Sequence, residues 1–305
     1  MKLSSSFHIR SLVSCRHFLL FFLLSILILY QICLYSNPSA HSYLIQAFGS
    51  CQQANYTKSR DLTLPTPTFR LLIGILTVPA RFERRSLIRL AYSSQPITEA
   101  HVDIRFILCN ITKEEEKTMV SLEMMQYDDI IILNCTESMN SGKTYTYFSN
   151  LPKLFTGEDN YDYAIKSDDD TYFRLDNLIA SLKDKPRHDM YYGAGFPINE
   201  KDFPQFMLGM GYLLSWDLVE WIAESEIPRS EPVGPEDMLT GEWLNMGNKA
   251  RNRYNMIPAM YDYRGSELQD FIPGTIAVHQ LKETTRWLNT LKYFVMDQPF
   301  KLKPM

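Results

Sequence analysis

The chain has 305 residues, 45% hydrophobic and 22% charged, which suits one large globular domain or two small ones. A formal net charge of -4 and the lack of any basic stripe argue against nucleic acid as a partner. The five cysteines show no Cys-x-x-Cys spacing, which argues against a structural zinc site.

The first element is apolar. "FLLFFLLSILILYQICLY" (18–35) runs for 18 residues without a charge, about the lower limit for crossing a bilayer. Lys2, Arg10 and Arg16 precede it, while the next basic residue is Lys58 and the first acidic one Asp61. The positive-inside rule makes 1–17 a cytosolic tail, 18–35 a signal-anchor helix and the remainder luminal. A cleaved signal peptide is the alternative. It calls for an apolar core of roughly 7–15 residues and a small-x-small cleavage site, and Pro38 stands where a small residue is wanted.

Three N-x-[ST] sequons, at Asn55, Asn110 and Asn134, agree with a luminal position. Cys51, Cys109 and Cys135 lie beyond the anchor, so one disulfide and one free thiol are allowed, with the pair left open. Residues 36–68, rich in Ser, Gln, Thr and Pro and ending in "TLPTPT", read as a stem.

From 69 to 305 short apolar runs alternate with helical patterns. Strands are predicted at 69–78, 102–110, 128–134 and in "YDYAIKS", and helices at 83–92, 112–127 and 143–156. The second helix opens with Thr112 and Glu115, the spacing of a capping box. This alternation predicts an α/β domain with a mainly parallel central sheet. The strands lack period-2 patterning, as expected of a sheet covered on both faces. Such sheets bind ligands beyond the carboxyl ends of their strands, where the strand order reverses.

One of those ends carries "SDDDTYF", with Asp168, Asp169 and Asp170 in succession. Two unit charges about 4 Å apart repel by roughly 4 kcal/mol at an effective dielectric near 20. The cluster is therefore a solvated turn before the helix "LDNLIASL", a set of shifted carboxyls, or a cation site. An EF-hand loop fails, because Tyr172 and Phe173 occupy its fifth and sixth positions. A D-x-D-x-[TV] phosphatase motif fails at Tyr172. The specific reading that survives is Asp-x-Asp holding Mg²⁺ or Mn²⁺ against a nucleotide diphosphate.

Four blocks, taken in order, resemble the family 31 glycosyltransferases, the β1,3-galactosyl- and N-acetylglucosaminyltransferases. They are "FERRSLIRLAY" (82–92), "YAIKSDDDTYFRLDNL", "FPQFMLGMGYLLS" (203–215) and "PEDMLTG" (235–241). Tyr92, Phe206 and Met238 stand where the family has Trp, Tyr and Val, keeping bulk and apolarity.

Each block also has a physical reading. Arg84, Arg85 and Arg89 lie on one predicted helix. Arg85 and Arg89, four apart, share a face from which they can fork onto a diphosphate. Gly209 and Gly211 suit either a turn or close approach of backbone to ligand. Asp237 reads as a general base or a helix cap, with Glu236 the second candidate.

The resemblance implies more. It implies a GT-A-type fold behind a single transmembrane helix, in the Golgi membrane with a luminal catalytic domain. It makes His279 and Asp170 ligands of Mn²⁺ or Mg²⁺, with Asp168 and Asp169 touching nucleotide, ribose or a metal-bound water. The implied reaction inverts the anomeric centre, moving galactose from UDP-galactose onto a glycan or glycoprotein in β1,3 linkage. Transfer of N-acetylglucosamine from UDP-GlcNAc, or a catalytically silent Golgi glycan-binding protein of this fold, are the alternatives.

Overall fold

The computed structural model describes residues 68–296, apart from 98, 158–159 and 266–270. All of them belong to the compact unit Leu64–Met305. The predicted anchor, Asn55, Cys51 and all but the last residue of the predicted stem lie outside the described residues. Among the described residues no helix is long and apolar enough to cross a membrane.

The strands and helices expected from the apolar runs are present. They are β1 (Arg70–Leu76), α1 (Phe82–Ser93), β2 (His101–Leu108), α2 (Glu114–Tyr127), β3 (Ile130–Ile132), α3 (Lys143–Leu154) and β4 (Tyr163–Asp168). The chain continues through β5 (Tyr172–Phe173), α4 (Leu175–Leu182), β6 (Met190–Phe196), β7 (Phe206–Ser215) and α5 (Trp216–Glu224). It closes with α6 (Glu226–Ser230), α7 (Glu236–Met246), β8 (Asn252–Asn255), β9 (Met260–Asp262), β10 (Ala277–His279) and α8 (Thr284–Leu291).

The central sheet has the order β3-β2-β1-β4-β7-β6-β8. β3, β2, β1 and β4 run parallel, and β7 is antiparallel to both its neighbours. Successive strand residues feed opposite cores, which is why no polar face appears in the sequence. Leu71, Ile73 and Ile75 join Ile88, Leu178 and Trp287, whereas Leu72 and Leu76 join Tyr147, Leu151 and Ile222. Gly74 lets α3 sit hard against β1: a Cβ there would fall 2.2 Å from the Tyr147 hydroxyl, which donates to the Ile165 carbonyl.

Two expectations need correcting at helix starts. The Thr112–Glu115 capping box does not form, because α2 begins one residue later with Lys113 at the N-cap and no side-chain cap bond. Three glutamates in its first turn, Glu114, Glu115 and Glu116, complement the positive end of the helix instead. At α7 the N-cap is Pro235, so Asp237 lies inside the first turn and is not the cap. The disulfide joins Cys109, just after β2, to Cys135, just after β3.

β1 connects outward to β2, while β4 lies on its other side, so the strand order reverses between β1 and β4. Their carboxyl ends are Leu76 and Asp168, paired in register. A second, three-stranded sheet, β5-β10-β9, sits beside that opening and pairs His279 with Asp262. The topology alone thus brings the first strand end, the aspartates and a late histidine to one place.

Candidate active site

A cleft of about 670 Å³ opens there, in the range of small-ligand sites. Thr77 and Arg81 from the end of β1, Lys143 from α3, Asp168, Asp169 and Asp170 line it, with Leu208 and Gly209 of β7, Asp237 and His279. The aspartates are not a solvated turn: Asp169 and Asp170 are buried and Asp168 is half-buried.

Asp168, Asp170 and His279 each offer a ligand atom, and these atoms lie within 4.8 Å of one another. His279 Nε2 is 3.3 Å from Asp170 Oδ1 and 3.9 Å from Asp168 Oδ2. Octahedral ligands at about 2.1 Å from a dication are separated by about 3.0 Å when adjacent and about 4.2 Å when opposite. The trio therefore fits a small hard cation. Asp262 accepts from His279 Nδ1 at 2.7 Å, which turns Nε2 toward the two carboxylates, as the outer partner of a metal-bound imidazole does.

The electrostatics agree. Burial alone would lower the His279 pKa, but its hydrogen bonds to Asp170 and Asp262 raise it to about 9. Burial would likewise raise Asp170, but the His279 hydrogen bond and charge, with Lys282 and Arg84, hold it below the usual carboxylate value. Two carboxylates here keep a proton on imidazole, and a dication would take that proton's place.

The roles of the three aspartates are divided differently from the expectation. Asp168 stands with Asp170 and His279 in the cation niche, where the sequence reading had set it beside Asp169 against the nucleotide. Asp169 turns away from the niche. Its carboxylate accepts from Thr77 Oγ1 at 2.5 Å and Arg81 Nη1 at 2.6 Å, while its carbonyl accepts from Arg84 at 3.2 Å. This ties β1's exit to β4's end and holds the partly exposed Arg81 at the cleft wall.

Arg85 and Arg89 do share a face of α1, but that face packs on α2 and does not line the cleft. Arg85 is fully buried, donating to both Glu123 oxygens and to the Val78 and Pro79 carbonyls. Arg89 forks onto Asp129 and reaches Glu123, with its guanidinium 4.1 Å from the Tyr127 ring centroid. The forked recognition expected of a diphosphate is taken up by carboxylates of the chain itself. Arg85→Met should therefore cost about 3–5 kcal/mol of stability, as loss of one member of a buried ion pair does. Denaturant unfolding measures that loss, and nucleotide affinity of the folded variant should stay at the wild-type value.

Sequence reasoning missed Arg81, Lys143 and Asp262. Arg81 had a usable signal, as the first charged residue beyond the first strand's carboxyl end. Lys143 is buried at the start of α3, donating to the Thr77 carbonyl and to Glu137. Asp262 had no local signal, because only β9–β10 pairing brings it to His279.

Gly209 and Gly211 do permit close approach, but of the protein's own side chains. A Cβ on Gly209 would lie 2.8 Å from Glu236 Oε1, and one on Gly211 would lie 2.7 Å from the Phe173 ring. The two acidic residues opening α7 also part company. Glu236 is buried, accepting from Lys166 at 2.6 Å and from the Tyr212 hydroxyl at 2.8 Å, and burial raises its pKa even beside Lys166. Asp237 is half-buried and lines the same cleft, with one oxygen accepting from the Met238 N–H at 2.9 Å. A base must reach a proton on an incoming group, and Asp237 is the better placed.

Comparison with known proteins adds names to this geometry. The galactosyltransferase family profile matches residues 83–200. A β1,3-galactosyltransferase of Schizosaccharomyces pombe, pvg3, is 24% identical, over 70% of this chain and 71% of its own length. The hydroxyproline O-galactosyltransferase GALT5 of Arabidopsis thaliana is 24% identical, over 59% of this chain and 30% of its own. The human UDP-GalNAc:beta-1,3-N-acetylgalactosaminyltransferase 1 is 24% identical, over 58% of this chain and 60% of its own. The chain thus spans less than two thirds of the length of the last two relatives.

Among solved structures, the galactosyltransferase LgtC superposes with a TM-score of 0.39 and 11% identity, covering 69% of this chain and 86% of its own. The glycosyltransferase GlyE of Streptococcus pneumoniae gives 0.41 and 13%, over 71% and 55%.

The protein is a glycosyltransferase. Residues 83–200, which carry nearly all of α1, the aspartates and the strands between them, match the galactosyltransferase family profile, and this likeness to the family 31 enzymes marks a hexosyltransferase.

Proposed function

We propose that the chain is a metal-dependent, inverting hexosyltransferase with a GT-A-type domain. It moves galactose from UDP-galactose to a hydroxyl of a glycan or glycoprotein in β1,3 linkage. The observation that carries this reading is the placing of the Asp168–Asp170–His279 niche and Asp237 in one cleft at the sheet's switch point. The family profile and the relatives named for galactose transfer support the donor class.

Asp168, Asp170 and His279 would hold Mn²⁺ or Mg²⁺, which supplies positive charge against the departing diphosphate. Arg81 adds positive charge on the same wall. Asp237 takes the proton of the acceptor hydroxyl as its oxygen bonds to the anomeric carbon. The bond from that carbon to UDP breaks in the same displacement, so the configuration inverts. No covalent sugar–enzyme intermediate is needed.

The test is UDP release and sugar transfer by the full chain in detergent with Mn²⁺, across UDP-galactose, UDP-GlcNAc and UDP-GalNAc. UDP-galactose should give the highest kcat/KM. The third donor is included because one relative is named for it.

The proposed setting is the Golgi membrane, with the apolar 18–35 segment as an uncleaved anchor and the catalytic domain luminal. Asn110 and Asn134 are exposed, as glycan acceptors must be. Glycosidase should then lower the apparent mass of the cellular protein while it stays with membranes in carbonate. A soluble, secreted product would overturn the anchor.

A further inference from the structure

Lys166 lies within β4 on the sheet face of Ala164, and its side chain is fully buried. It donates to Asp168 Oδ1 at 2.8 Å, the Gly209 carbonyl at 2.6 Å and Glu236 Oε1 at 2.6 Å. An ammonium has three hydrogens, and these acceptors use all of them. The acceptors come from three separate elements: the end of β4, the middle of β7 and the first turn of α7.

We propose that Lys166 is a positioning residue that sets the cation-facing oxygen of Asp168 and the place of Asp237 together. This rests on the function proposed above. With Oδ1 held by Lys166, Asp168 turns Oδ2 toward His279 Nε2, so one carboxylate oxygen serves the protein and the other the cation. With Oε1 of Glu236 held as well, the start of α7 is fixed, and Asp237 is the next residue.

The far side of that clamp is also closed. Glu236 Oε2 accepts from the Tyr212 hydroxyl, which in turn meets Thr240 Oγ1 at 2.9 Å. The gap at Gly209 leaves no slack beside Glu236: a Cβ there would lie 2.8 Å from Glu236 Oε1, with Lys166 Nζ at 3.6 Å and Asp237 Oδ2 at 3.7 Å in ordinary contact. A single displacement needs the attacking and leaving oxygens in line across one carbon, and a misplacement of about 1 Å can cost a hundredfold in rate. Lys166 bonds to both sides of that line, the leaving-group side through Asp168 and the attacking side through Glu236.

A purely structural ion pair predicts something different, and two variants separate the cases. Lys166→Met/Glu236→Gln removes one charge of each sign, so the net charge at the cleft is unchanged and the Tyr212 hydroxyl keeps an acceptor. Glu236→Gln alone leaves Lys166 on Asp168.

The measurements on the full chain are the unfolding midpoint, calorimetric Mn²⁺ affinity with and without UDP, and kcat. The double variant should fold and yet bind Mn²⁺ about 10- to 100-fold more weakly, the usual cost of losing an outer partner of a metal ligand, with kcat reduced at saturating Mn²⁺. Glu236→Gln should keep Mn²⁺ affinity near the wild-type value and lose kcat. A drop in Mn²⁺ affinity of about 10-fold or more in Glu236→Gln, relative to the wild-type chain, overturns the proposal, whether or not the double variant folds. So does a folded double variant with wild-type affinity and turnover. Failure of the wild-type chain to bind UDP with Mn²⁺ would overturn the proposed function itself, and this inference with it.

Discussion

Asp170→Asn is expected to abolish Mn²⁺-dependent UDP binding while leaving a folded protein. Asp170 Oδ1 faces His279 Nε2 at 3.3 Å, and the amide offers that gap a neutral oxygen or an N–H in place of an anion. One carboxylate and one imidazole would remain for the cation. Loss of a direct ligand should cost more than the 10- to 100-fold typical of an outer-shell change, so affinity should fall by more than about a hundredfold. The diphosphate would then meet Asp168 without its counter-ion. Calorimetry with Mn²⁺ and UDP on both proteins reads the effect directly, and added chelator should bring the wild-type chain to the variant's level. Undiminished Mn²⁺–UDP affinity in Asp170→Asn would return the cluster to a buried ion-pair network around His279.

The central layers were readable because they rest on local signals. The apolar runs of β1, β2 and β4 and the helices between them follow from composition and period. The position of Asp168 at a strand's carboxyl end follows from them in turn. The edge was less so: the run at 128–134 forms only the three-residue β3, since a strand at the rim of the sheet has one neighbour to hold it. The division of labour among charges was not readable. Arg85 and Arg89 have the spacing of an anion fork, and nothing local reveals that Glu123 and Asp129, more than 30 residues on, meet that fork first.

Lys166 illustrates the same limit from the other side. Its motif was visible, but its three acceptors lie 2, 43 and 70 residues away, and the closure of β4 against β7 and α7 is what assembles them. Asp262 depends on a pairing between two three-residue strands. Sites built at a switch point draw on distant strand ends by construction. The sequence therefore marks the residue types, and the topology assigns their partners.

Asp237→Asn separates the base from the cation niche. The substitution is nearly isosteric, and among the described residues Asp237 hydrogen-bonds to the Met238 N–H and not to Asp168, Asp170 or His279. UDP and Mn²⁺ should therefore bind almost as in the wild-type chain. An amide cannot take the acceptor's proton, and removing a general base costs about 10²–10⁴ in rate, so transfer should fall by that factor at saturating donor. Glu236→Gln should lower transfer less, because Glu236 is turned into the Lys166–Tyr212 network and acts on the acceptor only through the placing of α7. Calorimetric affinity beside transfer rate, for both variants, decides between them. Normal turnover in Asp237→Asn with collapse in Glu236→Gln would move the role to Glu236 and require its carboxylate to leave Lys166 during the reaction. Lost UDP binding in Asp237→Asn would make Asp237 a nucleotide-site residue, and the base would have to come from another side chain on the cleft.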